Sequence, residues 1–569
     1  MSKTSCKVHM EFTDITAVKD SNISVNEMAA IGNLDLLKAK SDYPPYVFID
    51  NNSFILDGSK TYLGEETQIA FISEVSMDDC LFESNPTIDI AFTQNHTSAG
   101  LTLYFIDEYP AEVKITWYDL NGVKIISRVF YPDKLSYFCK EQIENYGKLQ
   151  IEFIRTRLPG QRLKLAYILY GTSIEWSGDN IQSASLSEEI DITSATIPIN
   201  TADVSILDSA NDFELSNQKG TWKSIQKKQP LTITERLENK DISCGTFYLD
   251  TWKSQSNVVS FSLIDMLGLI DKTKFYDGRI YELEEAGTII DEIMASAGVI
   301  DYSVSEEVAS ILLSGHIAIC SHREALQQVV FACGAVAGCS RTGRIEIRMP
   351  DRSADRTIGV DRKFMGTTIE IDEYVSGVSL AYSRYNLATE KTEIFNDILP
   401  AGDTLIELSD PYTDITVNVG SLLVAKTNYA VVHMEEEGEC ILSGLKYEKT
   451  EVTYTANVTR LEAGEEAKII SYDGCTLLNA ARAKDVAERL LSYYQLRQIV
   501  NMRYLLEAEC VGEWVNVRDK NGTTVTGIMS QTIDLTGGFI ATATCRGYSK
   551  VVTELLYAGE IYAGERGLI

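Results

Sequence analysis

The sequence predicts a mainly β, multidomain protein, built of β-barrels and a β-sandwich, with a few helices placed in α+β domains. Three observations predict it. Apolar and polar residues alternate with period two in many short runs, turn residues punctuate those runs, and 569 residues are too many for one ordinary core. Hydrophobic residues make up 44 % and only 11 prolines occur, so core material is ample and long disordered linkers are not expected. The 29 tyrosines, against 18 Phe and 5 Trp, suit half-buried strands, where a ring packs inward and its hydroxyl reaches water.

The first 40 residues mix short apolar runs with NISVNEMAAIGNLDLL and show no dominant period. Residues 43–170 then read as a series of strands, TIDIAFTQ, AGLTLYFID, AEVKITWYDLNGVKIISRVF, KLQIEFIRT and RLKLAYILYG. Val113, Ile115 and Trp117 alternate with Lys114, Thr116 and Tyr118, giving one dry and one wet face, as in a sandwich or jelly roll. Asn121-Gly122 supplies the positive φ angles of a tight hairpin. Residues 171–281 continue with IDITSATIPI, ADVSILD, QPLTITERL, GTFYLDTW and VVSFSLIDMLGL, whose short strands suggest a small barrel.

Helical spacing enters at residues 282–360. In EEAGTIIDEIMASAG the apolar set is Ile289, Ile290, Ile293, Met294 and Ala297, and Gly298 stands at a C-cap. SGHIAICSHREALQQVVFACG reads as a strand, HIAIC, then a Ser321–Glu324 capping box and a helix with the stripe Leu326, Val329, Val330 and Cys333. His322 falls on the polar first turn, and His316 and Cys320 share a strand face with Ala318. No CxxC or HxxxH pair accompanies them, so packing rather than zinc binding is expected. Residues 361–475 return to strands. Residues 476–548 begin with a helix whose stripe is Ala480, Ala483, Ala487, Leu490, Leu491 and Tyr494, with Arg482, Lys484, Glu488 and Arg489 outward, and end in a meander turning at Asn521-Gly522 and Gly537-Gly538. The tail, 549–569, repeats YAGE from Tyr557 and Tyr562; such a segment frays or docks on a neighbour by strand-like contacts.

A formal net charge of -31, from 51 basic and 82 acidic residues, removes the broad electrostatic footprint of a nucleic-acid or anionic-membrane binder. The N-terminus is charged from Lys3 onward, unlike a secretory signal, and no 18-residue apolar run occurs, so neither export nor membrane insertion is expected. Eleven cysteines without CxxC spacing are expected as free thiols. GxSxG, HExxH and GxxxxGK[ST] are absent, and five histidines offer few general bases. Asp119-Leu-Asn121-Gly122 and Asp519-Lys-Asn521-Gly522 begin like calcium loops, but Phe130 and Ser530 stand where the bidentate Glu belongs, and hairpin turns explain both. Glu435-Glu436-Glu437 and Glu284-Glu285 read as solvated faces. The expectation is a protein without catalytic residues, metal or cofactor. The most basic stretch, RTRLPGQRLK, carries Arg155, Arg157, Arg162 and Lys164 near Tyr118 and Tyr137. Aromatic faces with polar forks suit a glycan, but a charged loop balancing nearby carboxylates is the reading favoured for the stretch itself.

Four segments, YGTSIEWSGDNIQSASLSEEIDITSATIPINTADVSILD, GTFYLDTWKSQSNVVSFSLIDMLGLIDK, SGHIAICSHREALQQVVFACGA and TGIMSQTIDLTGGFIATATCRGY, together resemble the tail-tip (baseplate) hub proteins of long-tailed bacteriophages and their prophage relatives. IDIAFTQNHTSAGLTLYFIDEYPAEVKITWYDLNG resembles the jelly-roll, carbohydrate-binding-like modules that accompany such hubs. The resemblance implies a homotrimer at the virion tail tip, made in the host cytoplasm, in which two barrel-like regions per chain, Gly171 to Tyr281 and Phe364 to Tyr548, form a ring that matches a sixfold tube and passes DNA. Residues 1–42 would be an N-terminal segment of that hub. It implies as partners a distal tail or tube protein, a tape measure and a tip or spike protein, with no specific nucleic-acid contact. Longer members of that family carry a fibrous or wall-degrading extension where this sequence ends at Ile569, so any lytic activity is expected to come from another protein. The alternative is an adhesin that binds host cell-wall glycan through the module, with Tyr118, Tyr137, Arg155, Arg157 and Arg162 at its site.

Overall fold

The computed structural model describes residues 4–26, 29–30, 34–38, 48–49, 61–62, 70–106, 108–217, 222, 225, 227–237, 240–461, 464–519 and 522–550. Strands dominate, as the alternating patterns require. β1 (Thr4–Thr13) turns Cys6, Val8, Met10 and Phe12 inward at every second position, and all four are buried. The next helix, α1 (Ile15–Asp20), starts where the Asp14 carboxylate accepts hydrogen bonds from the amides of Thr16 and Ala17.

α1 belongs to an N-terminal module whose sheet has eight described strands. Its centre is β2 (Thr87–Phe105), β3 (Glu112–Tyr118) and β4 (Ser136–Arg155). β4 pairs with β2 twice, Ser136–Lys140 against Gly100–Tyr104 and Lys148–Glu152 against Thr87–Ala91, with three register shifts between. Those irregularities divide the sheet into two wings around one core, which holds Val113, Ile115 and Trp117 together with Ala17 and Leu37. His96 pins α1 to β2, its Nδ1 2.9 Å from Asp14 Oδ2 and its Nε2 3.0 Å from Asp20 Oδ2. At the turn after β3 only Gly122 takes a positive φ, 78°. Asp119 Oδ1 accepts from the amides of Asn121 and Val123, so the turn is the longer hairpin loop with a single left-handed glycine, not the two-residue turn expected.

The chain returns through β5 (Gly171–Ser177), which pairs antiparallel with β1, Thr13 opposite Gly171. Asp14 N donates to Tyr170 O at 3.0 Å. The module is therefore inserted between two neighbouring strands, and the chain crosses into it at Asp14 rather than at residue 42.

β6 (Ile181–Glu189), β7 (Thr201–Leu207), β8 (Pro230–Leu237), β9 (Lys240–Gln255) and β10 (Val258–Ile264) follow. The short helix α2 (Met266–Ile270) begins at Asp265, which accepts from the amides of Gly268 and Asn200 at 3.1 and 3.0 Å. Burial pushes the Asp265 carboxyl up to about 7, against the pull of these amides and of Arg323. A folded-state value above the ordinary 3.8 means that the fold holds this proton more tightly than the unfolded chain does. The contribution is therefore present below about pH 4 and is lost as pH rises toward 7, with a slope of at most about 1.4 kcal/mol per pH unit. The stability difference between wild type and Asp265→Asn, measured by urea unfolding, is expected to shrink from pH 5 to pH 8; a constant difference would refute the assignment.

α3 (Ala286–Ala297) and α4 (His322–Cys333) end at Gly298 and Gly334, with φ of 72° and 68°. α4 opens with the Ser321–Glu324 capping box. The HIAIC stretch is not one strand: pairing stops at His316 and resumes at Cys320 with a different partner. His322 is buried, not on a polar turn.

β11 (Ala354–Ile358) and β12 (Thr368–Ile371) lead to a long ribbon, β13 (Gly377–Leu399) with β14 (Gly438–Asn457). The far end of the ribbon carries a separate small core that includes Leu399, Ile406, Val432 and Leu442. α5 (Ala480–Tyr494) follows, burying Ala483, Val486, Ala487, Leu490 and Tyr493. Arg482 and Arg489, expected outward, instead bind carbonyl groups: Arg482 Nη2 donates to Cys333 O at 2.6 Å, closing the end of α4, and Arg489 Nη1 to Ile192 O at 2.7 Å.

β15 (Gln498–Leu505), β16 (Trp514–Asp519), β17 (Gly522–Asp534) and β18 (Ile540–Lys550) complete the fold. The large sheet has thirteen described strands, in the order β5-β1-β8-β9-β10-β7-β6-β17-β18-β15-β12, with β16 pairing β17 and β11. Its N-terminal and C-terminal halves meet where Ser185–Glu189 of β6 pairs with Ser530–Asp534 of β17. One core lies along both halves, from Phe12 and Phe261 to Val500 and Cys545. Asn521, Tyr557 and Tyr562 lie outside the described residues.

Candidate functional site

The most elaborate polar constellation lies where β6, the α+β region and β17 meet. Arg341 clasps Glu188 with both prongs, Nε to Oε1 at 2.7 Å and Nη2 to Oε2 at 2.8 Å, and Nη2 also donates to Glu509 O at 3.0 Å. Gln531 Nε2 donates to Glu188 Oε2 at 2.7 Å and to Glu509 O at 3.1 Å, while Tyr504 OH donates to Gln531 Oε1 at 3.0 Å. Arg362 Nη2 then reaches Glu509 Oε1 at 2.8 Å. Burial works against charge on Arg341, but the two bonds it donates to Glu188 outweigh it and hold the guanidinium above its ordinary value. Glu509 follows the same logic: burial opposes ionisation, and the Glu507 amide and Arg362 overcome it. The network is charged, satisfied and enclosed, so it fixes the geometry of three bodies at once.

Above it opens a cleft of about 580 Å³ lined by Arg348, Asp355, Arg356, Glu513 and Trp514. Burial pushes the Cys510 and Cys339 thiols on its wall up to about 11 and about 12. Protonated thiols are poor nucleophiles, and all eleven cysteines are free. Of the charged groups on its wall, Arg356 lies 3.9 Å from Glu513. The chemistry this arrangement offers is that of a joint.

The histidines of the α4 region are occupied separately. His316 Nε2 meets Asn428 Oδ1 at 2.6 Å, while His322 meets Thr273 Oγ1 at 2.8 Å and Ser296 Oγ at 3.1 Å. Burial lowers both imidazoles and pushes Cys320 up to about 12. Among the described residues no group of three His, Cys, Asp or Glu stands at metal-binding distance.

The expected glycan residues fall in different places. Tyr118 ends β3 opposite Lys148, whose Nζ is 5.8 Å from the ring centroid, whereas Arg155 pairs with Glu112 at the other end of that strand, ~20 Å away. Tyr137 pairs with Leu103 on the other stretch of β4. Arg157 lies over the Tyr109 ring at 4.5 Å and 3.9 Å from Glu108. Arg162 Nη1 donates to Ser73 O at 2.9 Å and lies 3.9 Å from Glu74. The arginines thus gather at one end beside carboxylates, without Tyr118. Tyr109, which the sequence reading passed over, is the ring that an arginine covers; its place in EYPAEV, next to a proline, was the available signal.

No protein-family model matches the chain, and no curated protein does. Among solved structures, it is similar to the tail protein from Neisseria meningitidis MC58, at 10 % identity and a TM-score of 0.41 over 65 % of this chain and 93 % of that one. It is similar to the 43 kDa tail protein of prophage MuSo2 from Shewanella oneidensis, at 10 % and 0.37 over 65 % and 95 %. Prophage tail protein gp18 from Listeria monocytogenes EGD-e matches at 8 % and 0.37 over 67 % and 93 %. Each of these similar structures is that of a phage, prophage or bacterial tail protein.

Proposed function

We propose that the protein is a structural hub at the distal end of a phage-type tail, where three copies form a ring that joins the tube to the host-contacting tip and lets DNA pass. The observation that carries this reading is the large sheet, which runs without a break from the N-terminal half into the C-terminal half through β6 and β17. A sheet of that extent must twist, and a twisted wall with two unlike halves is suited to repetition around an axis. The net charge of -31 keeps a polyanion from adsorbing to such a wall. The Arg341–Glu188 joint holds the halves at a fixed angle. Other tail proteins are its partners. Light scattering is expected to give three times the chain mass of 63.3 kDa, and negative-stain images a ring. A monomer at high concentration, alone and with tube protein, would overturn it.

A second reading gives the N-terminal module a glycan-binding role. It is favoured by Arg157 stacked on Tyr109 at the end of the module that also presents Arg155 and Arg162. Retention of the whole protein on host-wall polysaccharide, abolished by Arg157→Ala, would support it.

A further inference from the structure

His96 lies buried in the middle of β2, opposite Tyr146, between two of the register shifts that divide the sheet of the N-terminal module. Both of its ring nitrogens meet carboxylates, Nδ1 at 2.9 Å from Asp14 Oδ2 and Nε2 at 3.0 Å from Asp20 Oδ2. An ionised carboxylate only accepts, whereas a neutral imidazole has one N–H and one bare nitrogen. A neutral ring therefore satisfies one of these contacts and sets a lone pair against the other.

The other partners of the two carboxylates fix them as acceptors. Asp20 takes the amides of Thr93 and Gln94 on Oδ2, at 2.8 and 3.1 Å, and the Thr93 hydroxyl on Oδ1. The Thr93 hydroxyl, and after it His96, hold this carboxyl well below the ordinary range. Asp14 takes the amides of Thr16 and Ala17 on Oδ1, at 2.9 and 3.1 Å, as the cap of α1. With both acids ionised, the geometry calls for a proton on each nitrogen of His96. The remaining groups around the ring are Thr16 Oγ1, 3.4 Å from Nδ1, and the Phe92 and Tyr146 rings at 4.8 and 6.0 Å, with Tyr170 behind Phe92. Burial pushes both tyrosine hydroxyls up, so neither titrates near neutrality. Among the described residues no lysine or arginine pairs with Asp14 or Asp20, so the imidazolium is the cation of this cluster. Its position matters, because Asp14 is where the chain enters the module and its amide bonds Tyr170 O, where the chain leaves.

We propose that His96 is a proton lock on the neck of the module: with both nitrogens protonated it holds α1 against β2, and on losing one proton as pH rises it lets α1 and the chain entry at Asp14 loosen from the sheet. The deprotonated ring leaves two carboxylates sharing one N–H. The stabilisation belongs to the protonated form, so it is present at low pH and is lost as pH rises. Hydrogen exchange of the full chain, read by mass spectrometry on peptides covering Ile15 to Ser21 and corrected for the intrinsic pH dependence of amide exchange, tests it. Protection there is expected to fall at least tenfold between pH 6 and pH 9, while that of β10 stays constant. His96→Gln, which donates to one carboxylate and does not titrate, is expected to give low protection at both pH values. Asp20→Asn replaces one obligate acceptor by a group that also donates, so a neutral ring suffices and the fall is expected at least one pH unit lower. A smaller fall in the wild type, an equal fall in His96→Gln, or an unmoved midpoint in Asp20→Asn would overturn the proposal.

Discussion

Arg341→Ala is expected to destabilise the large sheet by about 3–5 kcal/mol, because it strands a buried carboxylate. Glu188 is 5 % exposed, and its two oxygens meet Arg341 and Gln531. Removing the guanidinium leaves Gln531 as the one side-chain donor of this network on Glu188, and it frees Glu509 O of one of its two partners. The cost is that of an uncompensated buried charge, and it exceeds what the pair contributes over an apolar substitute. Two further variants separate these quantities. Arg341→Lys keeps the charge but loses the bidentate fork, so it should fall between wild type and alanine. Arg341→Met with Glu188→Leu removes both charges and should recover much of the loss. Urea unfolding of the three variants provides the check, and a loss below about 1 kcal/mol for Arg341→Ala would show that the joint is held by other contacts.

Phe261→Ala is expected to cost about 3–5 kcal/mol as well, through a cavity rather than a charge. Phe261 is fully buried on β10, with Trp176 of β5 at 5.9 Å and Phe213 at 5.9 Å between ring centroids. Phe12 of β1 completes the group, 5.6 Å from Phe213 and 6.2 Å from Trp176. The four rings join strands that are far apart in sequence, so the void cannot close by moving one side chain. The cores of the large sheet and of the N-terminal module share no residue. The effect should therefore be confined: limited proteolysis of the variant is expected to cut the large sheet while a fragment near residues 14–170 persists. Simultaneous loss of both would show the module to depend on the sheet.

What could be read from the sequence was local. The Ser321–Glu324 box and the glycine stop at Gly298 are set by neighbours three or four positions away, and each stands where its spacing places it. The alternation Val113, Ile115, Trp117 likewise reports one face of one strand. The same signal was present in β1, whose KVHMEF alternates as cleanly, but it was submerged in a short segment with mixed runs after it. The joint was not legible at all. Glu188, Arg341, Glu509 and Gln531 are separated by more than 150 residues at several links, and alone each looks like an ordinary surface side chain. Arg482 and Arg489 misled for a related reason, because helical periodicity marks arginine as outward whereas their long stems carry the charge to carbonyl groups on other elements. The expected sugar-binding set grouped residues by nearness in the chain, and the bent β4 separates them in space.

The insertion of the N-terminal module between β1 and β5 has a mechanical consequence. A tug on that module does not stretch a single tether. It arrives at Thr13 and Gly171 together, on adjacent antiparallel strands, and is resisted in shear by the whole ladder that joins β1 to β8 between Thr4 and Met10. Rupture then requires many bonds to fail at once, so a pull on the module is transmitted to the large sheet instead of being absorbed by a yielding hinge.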